Sequence, residues 1–216
     1  MKKSLAVIFL LVIFMGIASP AAQGGDRQDY NWSVELRSGV YWPNVDEWEE
    51  VYGRKVGFLT EIHLRRQLLP RLEVGGSVGF LVESGHGRTS SGEASDQDFT
   101  LFLVPLQVEG VYLFDFLPEQ LLVPYVKAGL DLWLFLERGD DSRDWSGTKG
   151  GYHGGGGLLL LLDRLDPEGA RNFLRSTGIV NSYIVMDARY ANVDNFGSSD
   201  LDLSGWIFQA GLMFQF

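Results

Sequence analysis

The chain has 216 residues, 28 acidic against 18 basic, a formal net charge of −10 and no cysteine. Zero cysteines exclude a disulfide framework, a thiolate metal site and a thiol nucleophile. The acidic balance argues against nucleic acid, whose binders need clustered positive charge.

The first segment, "MKKSLAVIFLLVIFMGIASPAAQ", has two lysines, an apolar run from Leu5 to Ile17 and a small-residue site at Ser19 to Ala22. That is the layout of a cleaved secretory signal over residues 1–22, too short for a comfortable membrane helix, with an uncleaved anchor as the alternative. No cysteine stands at the cleavage site, which excludes a lipid-anchored lipoprotein. Removing Lys2 and Lys3 leaves 16 basic and 28 acidic residues, a net charge of −12. Residues 23–216 are expected to form one domain. Nothing after the leader stays apolar for 18 residues, so no membrane helix is expected there.

Eight segments then show period-2 patterning. In the first, Tyr30, Trp32, Val34, Leu36, Val40 and Trp42 share a face opposite Asn31, Ser33, Glu35, Arg37 and Gly39. In the second, Val56, Phe58, Ile62 and Leu64 oppose Glu61, His63 and Arg65. The third sets Leu72, Val74, Val78, Phe80 and Val82 against Glu73, Gly75, Ser77 and Gly79. The fourth sets Phe102, Val104, Leu106, Val108, Tyr112 and Phe114 against Gln107 and Glu109. In the fifth, Val126, Ala128, Leu130, Leu132, Leu134 and Leu136 oppose Tyr125, Lys127, Gly129, Asp131 and Trp133. The sixth runs through "GYHGGGGLLLLLD" and is apolar on both faces near its end. The seventh sets Val180, Ile184, Met186, Ala188 and Tyr190 against Asn181, Tyr183, Asp187 and Arg189. The eighth, "SGWIFQAGLMFQF", places Trp206, Phe208, Ala210, Leu212, Phe214 and Phe216 on one face.

Polar, acidic loops follow segments one, three, five and seven, while short proline-containing turns follow segments two and four. After segment six comes "DRLDPEGARNFLRSTG", where Asp166 can cap, Pro167 suits a first helical position, Ala170, Phe173 and Leu174 share a face, and Gly178 stops the helix.

Alternation alone does not separate a soluble barrel, apolar inside, from a membrane barrel, apolar outside. Three features decide it. Segments of about 11–16 residues suit strands tilted across hydrocarbon, which needs about 9–11, whereas soluble strands run about five or six. The other face carries glycines and charges of both signs, and the bulky face of eight strands would overfill so narrow a lumen. Aromatics gather near strand ends on the apolar face, as an interfacial girdle requires. The expectation is an all-β fold: an eight-stranded antiparallel up-and-down transmembrane β-barrel, closed between its first and last strands, with a short periplasmic helix between strands six and seven.

The ending, with Phe216, Phe214 and Leu212 alternating to the last residue, resembles the C-terminal signature of Gram-negative outer-membrane proteins, which the barrel-assembly machinery reads. "LVPLQVEGVYLF" followed by "PYVKAGLDLW" looks like the central hairpin of small eight-stranded outer-membrane barrels. "LLLLLDRLDPEGARNFLRSTGIVNSYIVMDARY" is similar to an uncharacterised barrel family found mainly in myxobacteria and their relatives. These resemblances imply an outer-membrane location with both termini periplasmic, a lipid and lipopolysaccharide environment, and no assigned chemistry.

With that orientation, the inward residues of the periplasmic half and middle are Glu35, Arg37, Glu61, His63, Arg65, Glu73, Gln107, Glu109, Lys127, Asp131, Asp187, Arg189 and Gln209. Acids and bases nearly match, so they read as a salt-bridged plug, with a proton relay or gated pore as competing readings. Towards the outer end the inward set is Tyr41, Leu81, Leu101, Leu103, Trp133 and Phe135: packing of the barrel mouth, or a pocket for a small hydrophobic ligand. The expected role is structural or interactive. A narrow channel or binding site for small hydrophobic molecules is the alternative, and a lipid-modifying enzyme ranks third.

Catalytic signals are weak: His63 reads as low in the lumen, His86 as a loop residue, and His153, at the outer start of strand six, could pair with Asp141 or Asp144 at the rim. No Gly-x-Ser-x-Gly elbow occurs. "DDSRDWSG" has the Asp140-x-Ser142-x-Asp144 start of a calcium loop but lacks glycine at the sixth position and glutamate at the twelfth. No metal site and no cofactor are therefore expected. The loop acids, Asp46, Glu47, Glu49 and Glu50 among them, read as a solvated face able to share divalent cations with lipopolysaccharide phosphates. Arg138–Asp140 spells a chance-level adhesion tripeptide.

Overall fold

A computed structural model describes residues 30–45, 47–88, 94–117, 120–139, 145–197 and 201–216, side chains 47, 50, 51, 86–99 and 139 excepted. The leader, and the readings at Asp46, Asp140, Asp141, Ser142 and Asp144, lie outside the described residues. The chain order is β1 (Trp32–Pro43), α1 (Glu47–Tyr52), β2 (Gly57–Leu69), β3 (Leu72–Arg88), β4 (Ala94–Leu113), β5 (Leu122–Gly139), β6 (Trp145–Leu161), α2 (Pro167–Thr177), β7 (Asn181–Asn192) and β8 (Gly205–Gln215). Each strand pairs antiparallel with its chain neighbours, and β1 pairs with β8, so the sheet closes on itself without an edge. Among the described residues no helix is long and apolar enough to cross a membrane.

The expected period-2 faces sort inside from outside. Leu36 (57% exposed), Phe58 (60%) and Leu130 (63%) lie on the outer surface, while Arg37 and His63 beside them are fully buried. At mid-barrel ordinary globular packing is inverted, since the charges are inside and the bulky apolar groups outside. An eight-stranded barrel has an interior just wide enough for side chains to fill. Glycines create the remaining room. A Cβ at inward Gly155 would strike the Ala188 carbonyl and the Arg189 backbone, and one at Gly129 would meet the His153 ring and the Val108 carbonyl.

Closure involves the last residue itself. The Phe216 N–H donates to the Trp32 carbonyl at 2.8 Å, and the Phe216 carbonyl accepts from Asn31 N–H at 2.7 Å. The β2–β3 turn places Arg71 at φ 71°, a left-handed conformation that its short connection demands.

Four expectations need correction. Tyr30 does not belong to the outward aromatic row; it precedes β1, is 3% exposed and turns its hydroxyl inside. The segment after β1 is not a plain polar loop. It contains α1, in which Trp48 and Tyr52 fall one helical turn apart and pack in a tilted contact at 4.4 Å. His86 is not a loop residue: β3 continues to Arg88, and the His86 backbone pairs with Asp98. Finally, β6 starts at Trp145, so His153 sits in mid-strand.

Candidate functional site in the barrel interior

The interior is a stack of three layers. At the end where β1 begins and β8 finishes, Val111, Leu113, Val123, Tyr125, Leu159, Leu161, Tyr183, Val185 and Met213 form a buried apolar cluster. This layer was not anticipated as a unit, because apolar residues there occupy both strand faces and the alternation signal vanishes.

Above it lies the ionic layer. All eleven charged residues expected in the lumen are buried, and contacts link them into one network. Tyr30 donates to Glu73 at 2.6 Å, and Arg65 Nη1 donates to the same carboxylate at 3.0 Å. Arg65 also pairs with Glu35, and its Nε stands 3.2 Å from Glu109. Glu35 pairs with Arg37, whose Nη1 is 3.2 Å from Asp187. Asp187 further accepts from Tyr125 at 2.6 Å and pairs with Lys127 at 2.9 Å. Arg189 grips Glu61 with two nitrogens, at 2.6 and 2.8 Å, and Gln107 Nε2 donates to Glu61 at 3.0 Å.

The two histidines join the halves. His63 Nδ1 is 3.1 Å from Glu109 Oε1, and its Nε2 is 3.5 Å from Glu61. His153 Nδ1 is 2.7 Å from Asp131, and its Nε2 is 3.4 Å from Glu109 Oε2. So His153 faces Asp131 in the interior, because an inward position in mid-strand puts its ring across the β5 strand at Gly129; Asp141 and Asp144, the other partners considered for it, lie outside the described residues. His63 lies at the same central level, higher than expected. Six carboxylates thus meet four guanidinium or ammonium groups and two imidazoles. Gln209 is the exception: neither its amide oxygen nor its nitrogen has a partner among the described residues.

The third layer, at the loop end, brings together Tyr41, Leu81, Leu101, Leu103, Trp133 and Phe135, the six expected there. They pack on one another. Tyr41 sits edge-on to Trp133 at 5.3 Å and gives its hydroxyl proton to the Leu203 carbonyl at 2.7 Å. Trp48 of α1, 6% exposed, lies edge-on to Tyr41 at 5.7 Å and roofs the layer. Trp133 links this layer to the ionic one, donating from Nε1 to Asp131 at 3.3 Å. Near the roof, buried Glu83 faces Arg54 at 3.5 Å, and Lys149 is buried on β6. Sequence reasoning named none of Glu83, Lys149 and Trp48; the first two were legible as inward positions had β3 and β6 been extended.

Among the described residues no group of His, Asp and Glu has the arrangement of a metal site. The groove of about 460 Å³ between Val40, Leu158, Met186, Phe208 and Ala210 is on the outer surface, over small residues such as Ser38 and Ala188.

No protein-family model matches the chain, and no curated protein sequence matches it. Solved structures do. Neisserial surface protein A superposes with a TM-score of 0.52 at 14% identity, over 86% of this chain and 97% of that one. The outer membrane protein OprG from Pseudomonas aeruginosa gives 0.57 at 12% identity, over 87% and 96%. A major outer membrane protein from Thermus thermophilus gives 0.52 at 15% identity, over 86% and 98%. At these identities the likeness is one of fold: the chain has the closed eight-stranded antiparallel barrel architecture of small outer-membrane proteins.

Proposed function

We propose that this chain is an outer-membrane barrel with a sealed lumen, a scaffold that presents its long connections at one face and conducts nothing. The observation that carries the reading is the three-layer interior. Apolar clusters occupy both ends, and between them charged groups pair with one another, which supports a sealed lumen. Both termini are assigned to the periplasmic end, which places α1 and the acidic connections outside, near lipopolysaccharide. The exposed outer row supports a lipid contact, because Leu, Phe and Trp there have no protein cover. Leu212 and Phe214 on β8, with Phe216 directly after it, serve as the assembly signal for the barrel-assembly machinery. The likeness of residues 158–190 to the myxobacterial-type barrels is part of the same proposal.

The second reading, a binding site for small hydrophobic molecules in the upper lumen, draws on the same six residues. Their mutual packing under Trp48 favours the sealed reading. For a lipid-modifying activity His63 and His153 are poorly suited as bases, because both ring nitrogens of each face carboxylates.

Conductance across a planar bilayer, using only protein whose heat-modifiable gel shift shows a closed barrel, tests the reading. Absence of current steps is expected. Reproducible small steps, altered by Asp131→Asn or Arg37→Ala, would overturn it in favour of a channel.

A further inference from the structure

Helix α2 carries an amphipathic design that the barrel covers only in part. Asp166 Oδ1 accepts from the Gly169 N–H at 3.0 Å, and Pro167 opens the first turn. Gly178 ends the helix in the left-handed conformation at φ 77°, its N–H donating to the Leu174 carbonyl at 3.0 Å. At 3.6 residues per turn, Ala170, Phe173, Leu174 and Thr177 share one face, Arg171 flanks it beside Leu174 and Ser176 beside Phe173, and Asn172 and Arg175 lie on the opposite side. Yet no residue of this helix is buried. Its ring contact with the barrel is that of Phe173 with Phe214, at 6.3 Å. An 11-residue helix is marginal in water, so its open apolar face needs a cover.

Two observations identify that cover. Phe214 belongs to the outward row of β8, next to Leu212 (45% exposed) and Phe216 (41%), so the apolar face of α2 continues the outer surface of the barrel. On the Leu174 side the helix bears two cations, Arg171 at the flank and Arg175 further round, both exposed, whereas the nearby acids are used locally: Asp166 caps the helix, Asp163 accepts from Ser182 N–H at 3.2 Å, and Glu168 lies in the first turn, where the helix dipole favours it. We infer that α2 is an in-plane anchor at the phospholipid surface around the terminal end of the barrel, with Phe173 and Leu174 among acyl chains and Arg171 and Arg175 on phosphates. This rests on the reading that the outer surface of the barrel meets lipid.

The chain has no cysteine, so single cysteines can carry spin labels without further engineering. The full barrel is refolded into vesicles of phosphatidylcholine with phosphatidylglycerol, and each variant is checked by the heat-modifiable gel shift. Labels at Phe173→Cys and Leu174→Cys should be more accessible to oxygen than to a water-soluble nickel chelate, and labels at Asn172→Cys and Ser176→Cys the reverse. Wall labels at Phe58→Cys and Leu130→Cys separate the two readings. Lipid-type wall labels with water-type labels all round α2 overturn the anchor and leave the membrane reading standing. Water-type wall labels overturn the membrane reading itself. Dipolar coupling between Phe173→Cys labels of two copies would make a second chain the cover and overturn the lipid assignment. R171E with R175E should move the label at position 173 towards water; unchanged accessibility overturns the phosphate contact.

Discussion

The pair Glu61–Arg189 gives the sharpest measure of how dry the interior is. Both residues are 0–1% exposed, and two bonds of 2.6 and 2.8 Å join them across the lumen. At charge centres about 4 Å apart, an effective dielectric constant near 20 gives an attraction of about 4 kcal/mol. Removing one partner of such a buried pair costs about 3–5 kcal/mol, because the other charge is left uncompensated. Arg189→Met and Glu61→Leu should therefore each be destabilising by about that amount, and the double variant should cost much less than their sum, as paired apolar replacements do. Urea unfolding of the refolded barrel, followed by tryptophan fluorescence, reads this out. With a slope of about 2 kcal/mol per molar, each single change should lower the midpoint by about 2 M. Single effects under about 1 kcal/mol that simply add are what exposed pairs show. That result would mean water screens the lumen, and the argument for a sealed barrel would collapse with it.

Tyr125→Phe removes the hydroxyl that donates to Asp187 at 2.6 Å and should cost about 1–3 kcal/mol in the same unfolding assay. Gly155→Ala, whose Cβ would meet the Ala188 carbonyl and the Arg189 backbone, should impair closure in the heat-modifiability gel. Gly154→Ala, which meets nothing within 4 Å, should leave the gel shift intact. Trp48→Ala should lower stability by about 3–5 kcal/mol, the usual cost of a buried tryptophan, without opening a conductance, since Tyr41 and Trp133 still close the mouth beneath it. Gly178→Ala, at φ 77°, should lower the helicity of α2 in circular dichroism while leaving the barrel unfolding midpoint unchanged.

Where one strand face was apolar and the other charged, the sequence could be read directly. Leu36 and Arg37, or Ile62 and His63, lie on the faces their alternation dictates, and the network of eleven charges follows from that alone. Where the pattern failed, it failed for a physical reason. Val111 beside Tyr112 and Leu159 beside Leu160 are apolar on both faces, so the lower plug carried no contrast from which to be recognised. Tyr30 fits the outward row by spacing, but the chain before β1 leaves the strand geometry, and the Glu73 carboxylate draws its hydroxyl inside. The strand extensions in β3 and β6 are rich in Ser, Gly and charged residues with no apolar alternation, and such segments look like loops. Caps are strictly local, and α2 was accordingly legible to its last residue: Asp166, Pro167 and Gly178 act as their positions require.

The ionic core then needs its own justification, because apolar packing of equal volume would often be as stable or more so. Register supplies one. A strand that slips by a single residue turns its inner face outward. For β2 that slip would move Glu61, His63 and Arg65 to the outer surface and bring Phe58, Ile62 and Leu64 into a lumen already filled by paired charges. In a bilayer each Arg or Lys so displaced would cost about 2–4 kcal/mol at mid-depth, and its abandoned partner inside would add the loss worked out above for Glu61 and Arg189. Both faces of every central strand thus reject the same error, and they do so through different solvents. An all-apolar lumen would lose half of that discrimination, since a slipped strand would then exchange one set of apolar side chains for another. On this reasoning the charged layer fixes which residue of each strand faces its neighbour, and the two apolar layers keep water from weakening it.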